Sequence, residues 1–208
     1  MKKISFLAAA LLAFAPLTAS AQEFTPISDL PAGTYQLDKS HASLTWKVSH
    51  AGLSNYTARF TNFDAAIKFD PKDLTKSSVT ASIDPTSIQT DYPNAAEKDF
   101  NKELATGDKW FNAGKFPKIT FESTKLEKTG KESGKLHGNV TLLGVTKPVV
   151  LDVTYNGGYA VQPFSQKPTI GFSATGVIKR SDFGFDTYVP AIGDNVQIII
   201  EAEFAKNN

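Results

Sequence analysis

Ser43-Leu44-Thr45-Trp46-Lys47-Val48-Ser49-His50 alternates without a break. Leu44, Trp46, Val48 and His50 fall on one side, and Ser43, Thr45, Lys47 and Ser49 on the other. A period of two sends successive side chains to opposite faces of a β-strand, so this stretch reads as a strand with one buried face. The same pattern returns at Phe63, Ala65, Ile67 and Phe69, and at Val79, Ala81 and Ile83. Ile119 and Phe121 open another strand that runs to about Glu127. Leu136, Gly138, Val140 and Leu142 follow, then Val149, Leu151, Val153 and Tyr155. Two last long strands carry Ile170, Phe172, Ala174 and Ile178, then Val196, Ile198, Ile200, Ala202 and Phe204. Turn residues separate them at Asp70-Pro71, Thr129-Gly130, Gly157-Gly158 and Gly193-Asp194-Asn195. The class is all-β, with about eight antiparallel strands.

One segment departs from that rhythm. Residues 94–111 are rich in Ala, Glu, Lys and Leu, and Phe100 and Leu104 stand four apart, the spacing of a short amphipathic helix inserted between strands. Pro26, Pro31 and Gly33 make residues 22–33 a loose leader. Eight long strands either stack as a sandwich or close as a barrel. Strands of about 12 residues, at ~3.3 Å per residue and ~40° tilt, give a barrel roughly 30 Å tall. Such a barrel holds one small ligand, as the lipocalins do. The length of the strands favours a barrel with a deep lumen over a sandwich.

The N-terminus speaks for export. Lys2 and Lys3 precede an apolar stretch from Ile4 to Leu17, and Ala19-Ser20-Ala21 supplies the small residues that a signal peptidase accepts. Cleavage after Ala21 makes residues 1–21 a signal peptide and 22–208 a single domain of 187 residues, delivered to the periplasm. The apolar run is shorter than the ~20 residues of a membrane span, and no stable membrane insertion is expected. Cleavage removes Lys2 and Lys3 and turns a net charge of +1 into −1, which favours neither nucleic acid nor an anionic surface. The chain has no cysteine, so no disulfide staples it and no lipid is attached through a terminal thiol. The sequence leaves room for a homo-oligomer.

Catalytic patterns are scarce. His41, His50 and His137 are the three histidines; none stands in an HExxH motif, and no GxSxG elbow exists. His41 and His50 lack two further ligands at a metal-binding spacing, so neither metal nor cofactor is expected. Two polar groups share parity with apolar stripes: His50 with Leu44, Trp46 and Val48, and Arg180 with Ile170, Phe172, Ala174 and Ile178. Each either orients a ligand head group at a lumen mouth or sits where its strand has ended and meets water. For Arg180 an internal carboxylate, Asp182 or Asp186, is an equally good partner. Trp46 and Phe172 lie centrally in alternating strands. They are the leading lumen candidates, joined by Phe63, Phe121 and Phe183 from a chain with 15 phenylalanines.

Four blocks then carry a family resemblance. The first is Gly33-Thr34-Tyr35-Gln36-Leu37-Asp38 with Ser40-His41-Ala42-Ser43-Leu44 and Val48-Ser49-His50. The second runs from Trp110-Phe111-Asn112 through Phe116-Pro117-Lys118-Ile119-Thr120-Phe121-Glu122-Ser123. The third is residues 138–149, Gly138-Asn139-Val140-Thr141 to Lys147-Pro148-Val149, and the fourth is Ile178-Lys179-Arg180-Ser181-Asp182-Phe183-Gly184. In that order and spacing the chain resembles the YceI-like, or polyisoprenoid-binding, periplasmic proteins from about Gly33 to Phe204. Trp110 stands where the family more often has Phe. The resemblance implies a lipocalin-like barrel whose tunnel holds a long amphiphile, an isoprenoid or fatty-acid-like lipid. Function is therefore expected to be that of a periplasmic lipid carrier. The alternatives are an enzyme acting on a lipid head group, with His50 as base, and a protein-interaction sandwich with a packed core.

Overall fold

The computed structural model describes residues 23–207. The expected signal peptide lies outside the described residues. The strands, in chain order, are β1 (Gly33–His50), β2 (Ser54–Phe60), β3 (Phe63–Phe69), β4 (Ser78–Ile83) and β5 (Ile88–Gln89). A helix, α1 (Phe100–Thr106), leads to β6 (Ile119–Lys128), β7 (Ser133–Leu142), β8 (Val145–Tyr159), β9 (Thr169–Lys179) and β10 (Ile192–Lys206). Every neighbouring pair is antiparallel, and β10 returns to pair with β1. The closed ring runs β1-β3-β4-β6-β7-β8-β9-β10, an eight-stranded barrel as the alternation predicts. Closure removes the exposed edges that an open sheet would leave.

Two short strands lie off the ring. The first half of β1, Gly33–Gln36, pairs with β3, while Leu44–His50 pairs with β2. β5 then adds two residues to the free edge of β2. The long β1 bends between its halves at a bulge. Leu37 and Ala42 are five positions apart, against two between Phe204 and Ala202 on β10. An odd surplus reverses facing, so Tyr35 and Leu37 point inward before it, and Leu44, Trp46 and Val48 after it.

A second bulge acts the same way in β6. Ser123 faces Gly138 and Lys125 faces His137, so one extra residue lies between two consecutive partners. Before it Ile119 and Phe121 turn inward; after it Leu126 and Lys128 do. On β7, Gly138 stands two positions from Val140, the partner of Phe121, and a Cβ there would come within 2.4 Å of the Phe121 ring. The glycine is what lets that ring lie against the barrel wall.

The helical insertion is shorter than residues 94–111 predict, at seven residues. Asp99 caps its start by accepting the Lys102 N–H at 2.9 Å, and the chain leaves the helix at Gly107. Trp110 packs against Gly107, and the Phe111 and Ala113 N–H groups fold back onto the carbonyls of Leu104 and Ala105. The apolar residues beyond Thr106 therefore belong to a return loop. Leu104 and Ala105 are buried against Leu44, Phe60 and Ile88. The leader is also more fixed than its prolines suggest. It forms a 3-10 turn at Ile27–Asp29, buries Leu30, and donates the Thr25 N–H to Gly158 O at 2.8 Å.

Candidate ligand-binding lumen

The inward faces of the eight ring strands enclose a cavity of about 350 Å³, within the range of roughly 300–1,000 Å³ usual for small-molecule sites. Its wall is built by the period-two stripes: Phe63, Ala65 and Ile67 from β3, Leu136 and Val140 from β7, Ile198 and Ile200 from β10. Many of these side chains keep accessible surface although they face inward, because they border the lumen rather than a filled core.

Aromatic groups close one end. Trp110 and Phe111 from the loop after α1 meet Phe185 edge-on, with ring centres 5.9 and 5.2 Å apart, and Phe111 also meets Phe60 at 5.4 Å. Every lining residue at this end is buried or half-buried. The opposite end lies at the hairpin between β6 and β7. Lys128, Lys131, Glu132 and Ser133 are there, and among all lining residues these four alone are exposed. They mark the mouth. Ile27, Leu74 and Ser77 border it from the leader and from the link between β3 and β4.

The predicted site residues separate into two groups. Trp46, Phe63, Phe121, Phe172 and Arg180 all line this one cavity. His50 does not. Ile192 and Val196 on β10 are four positions apart where Val48 and His50 are two, so the pairing shifts, the strand ends, and His50 is exposed. Phe183 also lies outside the lining. It is 2% exposed and packs with Leu142 and Phe185 beneath the closed end, where a 3-10 turn at Arg180–Phe183 has replaced strand parity.

Arg180 lines the lumen, and its partners are main-chain groups. Its Nε donates to Gly193 O at 2.8 Å, Nη1 to Phe185 O at 2.9 Å and Nη2 to Ile192 O at 2.8 Å. The guanidinium also lies over the Phe185 ring at 5.5 Å. Burial works against its charge, and the fields of Asp194 and Asp186 oppose that effect. The carboxylate of Asp194 is itself engaged by the N–H and hydroxyl of Ser181. Three of the five N–H donors of Arg180 thus tie β9 to the loop before β10.

Sequence reasoning passed over the mouth and the aromatic closure. The signal for the mouth was present: Leu126 has the wrong parity for a strand begun by Ile119 and Phe121, which betrays the bulge. Tyr155 also lines the lumen; burial pushes its phenol up to about 12. Outside the barrel wall, the ligand atoms of Asp38, His41 and Glu203 lie within 4.8 Å of one another. His41 Nδ1 is 2.9 Å from Asp38, which raises the imidazole pKa above its ordinary value and lowers that of the carboxyl. His41 is exposed, Asp38 and Glu203 are half-buried, and none of the three lines the lumen.

An eight-stranded antiparallel barrel with a helix beside its closed end and one apolar chamber is therefore the arrangement to be matched. The model of the YceI-like domain matches residues 35–204. The chain belongs to the YceI-like family. Protein YceI of Salmonella arizonae is 36% identical over 174 residues, which cover 83% of this chain and 86% of that protein. The crystal structure of the Campylobacter jejuni YceI protein is 33% identical with a TM-score of 0.67, over 78% of this chain and 91% of that one. A polyisoprenoid binding domain from Saccharophagus degradans shares the fold at 12% identity, with a TM-score of 0.58 over 85% of this YceI-like chain and all of the other.

Proposed function

We propose that this YceI-like protein is exported to the periplasm and carries one elongated amphiphile, an isoprenoid or similar lipid, with its chain inside the barrel. The observation that carries this reading is the lumen itself: an apolar chamber closed by aromatic side chains at one end and rimmed by polar groups at the other. Supporting it, a domain named for polyisoprenoid binding has the same fold. Export rests on the leader of residues 1–21.

The energetics favour long chains. Each methylene removed from water contributes ~0.8 kcal/mol, so about fifteen give roughly 12 kcal/mol. That exceeds all but the upper end of the ~4–15 kcal/mol lost on association. Trp46, Phe63, Phe121 and Phe172 provide the aromatic part of the contact, and no catalytic group is required. His50, the base that an enzymatic reading needs, is at the surface.

The test is organic extraction of protein purified from a bacterial periplasm, followed by mass spectrometry. One long-chain lipid per folded chain is expected. Protein that yields no lipid, and takes up no fatty acid or isoprenoid alcohol after washing with detergent, contradicts the proposal.

A further inference from the structure

Four charged side chains line the lumen, and their placement is uneven. Arg180 stands at the closed end with three of its five donors turned to carbonyls. Lys128, Lys131 and Glu132 stand together at the mouth, all exposed. Nearby charges are paired: Lys125 with Glu127 at 3.1 Å, and Lys76 with Asp73 at 3.3 Å. Among the described residues Lys128 and Lys131 form no ion pair, so the rim carries two uncommitted ammonium groups against one carboxylate.

The fold places these groups deliberately. Lys128 reaches the rim because the single extra residue between Ser123 and Lys125 reverses the facing of β6. Without that bulge Lys128 would point outward. Lys131 and Glu132 sit in a turn that is pinned rather than loose. The Thr129 and Gly130 N–H groups both donate to Ser133 O, at 3.0 and 3.1 Å, and the Tyr155 N–H donates to Glu132 O at 2.7 Å. Immediately inside the rim the wall is apolar again, with Leu74, Leu126 and Leu136. β6 spans ten residues from the closed end to the rim, which at ~3.3 Å per residue and ~40° tilt is roughly 25 Å of depth.

We infer that the bound amphiphile is anionic and enters tail first, its carboxylate or phosphate held at the mouth by Lys128 and Lys131 and its chain end near Trp46 and Trp110. The inference rests on the carrier reading and adds the charge and direction of the ligand. An ammonium group suits either anion as a point charge. At the closed end three of the five Arg180 donors are held by carbonyls, and the surround of the chain end is mainly aromatic, with the buried Trp46 indole N–H left without a partner among the described residues.

The chain has two tryptophans, Trp46 and Trp110, and both line the half of the lumen away from the mouth. That gives a direct readout of direction. Lipid-free protein is titrated with two stearates, one bearing a nitroxide at the chain terminus and one bearing it beside the carboxylate, while tryptophan emission is followed. The terminal label should quench more strongly. The Lys128→Glu/Lys131→Glu variant, with its fold checked by circular dichroism, should bind stearate on the order of tenfold more weakly. Its affinity for octadecanol should be unchanged. Comparing stearate with an isoprenoid phosphate of matched length tells carboxylate from phosphate, the tighter ligand losing more in the variant. Stronger quenching by the label near the carboxylate puts the head at the Arg180 end and overturns the inference. So does an equal effect of the variant on stearate and octadecanol. If neither stearate nor octadecanol binds the parent protein, the carrier reading itself fails.

Discussion

Arg180 shows how one side chain is settled by its surroundings. Strand parity placed it correctly on the lumen side, but parity says nothing about which acceptors will be within reach. The acceptors turned out to be the carbonyls of Phe185, Ile192 and Gly193, which become available because β9 ends at Lys179 and a 3-10 turn follows. Removing the guanidinium strands those carbonyls in a buried place. Arg180→Ala is therefore expected to lose roughly 2–4 kcal/mol of unfolding free energy, read from urea denaturation. Arg180→Lys should fall between it and the parent, because one ammonium cannot serve three carbonyls spread around a planar fork. Parent-like stability in Arg180→Ala would mean that these bonds hold nothing. Trp46, Phe63, Phe121 and Phe172 were legible for the opposite reason: each sits mid-strand, where alternation alone decides facing. His50 and Phe183 were not, since both lie where a strand gives way to a turn.

At the scale of elements, the sequence announced strands far better than it announced their irregularities. Alternation between polar and apolar residues survives a bulge on both sides, so β1 and β6 each look like ordinary strands until the parity of Leu37 is compared with Leu44, or that of Phe121 with Leu126. The helix was legible from Phe100 and Leu104, but its end depended on Gly107 and on a loop that folds back through Trp110 and Phe111. A cross-strand fit offers the sharpest test at this scale. Gly138→Ala pushes a methyl group into the Phe121 ring, where the built Cβ stands 2.4 Å from two ring carbons. The expected loss is about 1–3 kcal/mol, as for other overpacked sites. Phe121→Leu should recover part of it in the double variant, with thermal unfolding as the measure. Simple additivity of the two substitutions would show that the ring and the glycine are not matched to each other.

For the molecule as a whole, strand number and length pointed to a barrel. What they left open was whether its centre is filled or hollow, because an inward Leu or Ile has the same sequence signature in either case. The answer lies in the sum of side-chain volumes around the ring, which no single strand reveals. Here the stripes of eight strands stop short of meeting, and the space between them is closed by aromatic groups at one end and rimmed by polar groups at the other. The central claim is that a ligand chain occupies that space. The absence of cysteine makes it directly testable, since a single introduced thiol can be labelled without competition. Ala174 and Thr175 are neighbours on β9, the first lining the lumen and the second exposed on the outer face. Ala174→Cys and Thr175→Cys proteins, each labelled with a bulky maleimide and checked for fold by circular dichroism, would be titrated with a fluorescent long-chain fatty acid. Binding lost in the labelled Ala174→Cys protein and retained in the labelled Thr175→Cys protein is the predicted result; equal binding by both would contradict it.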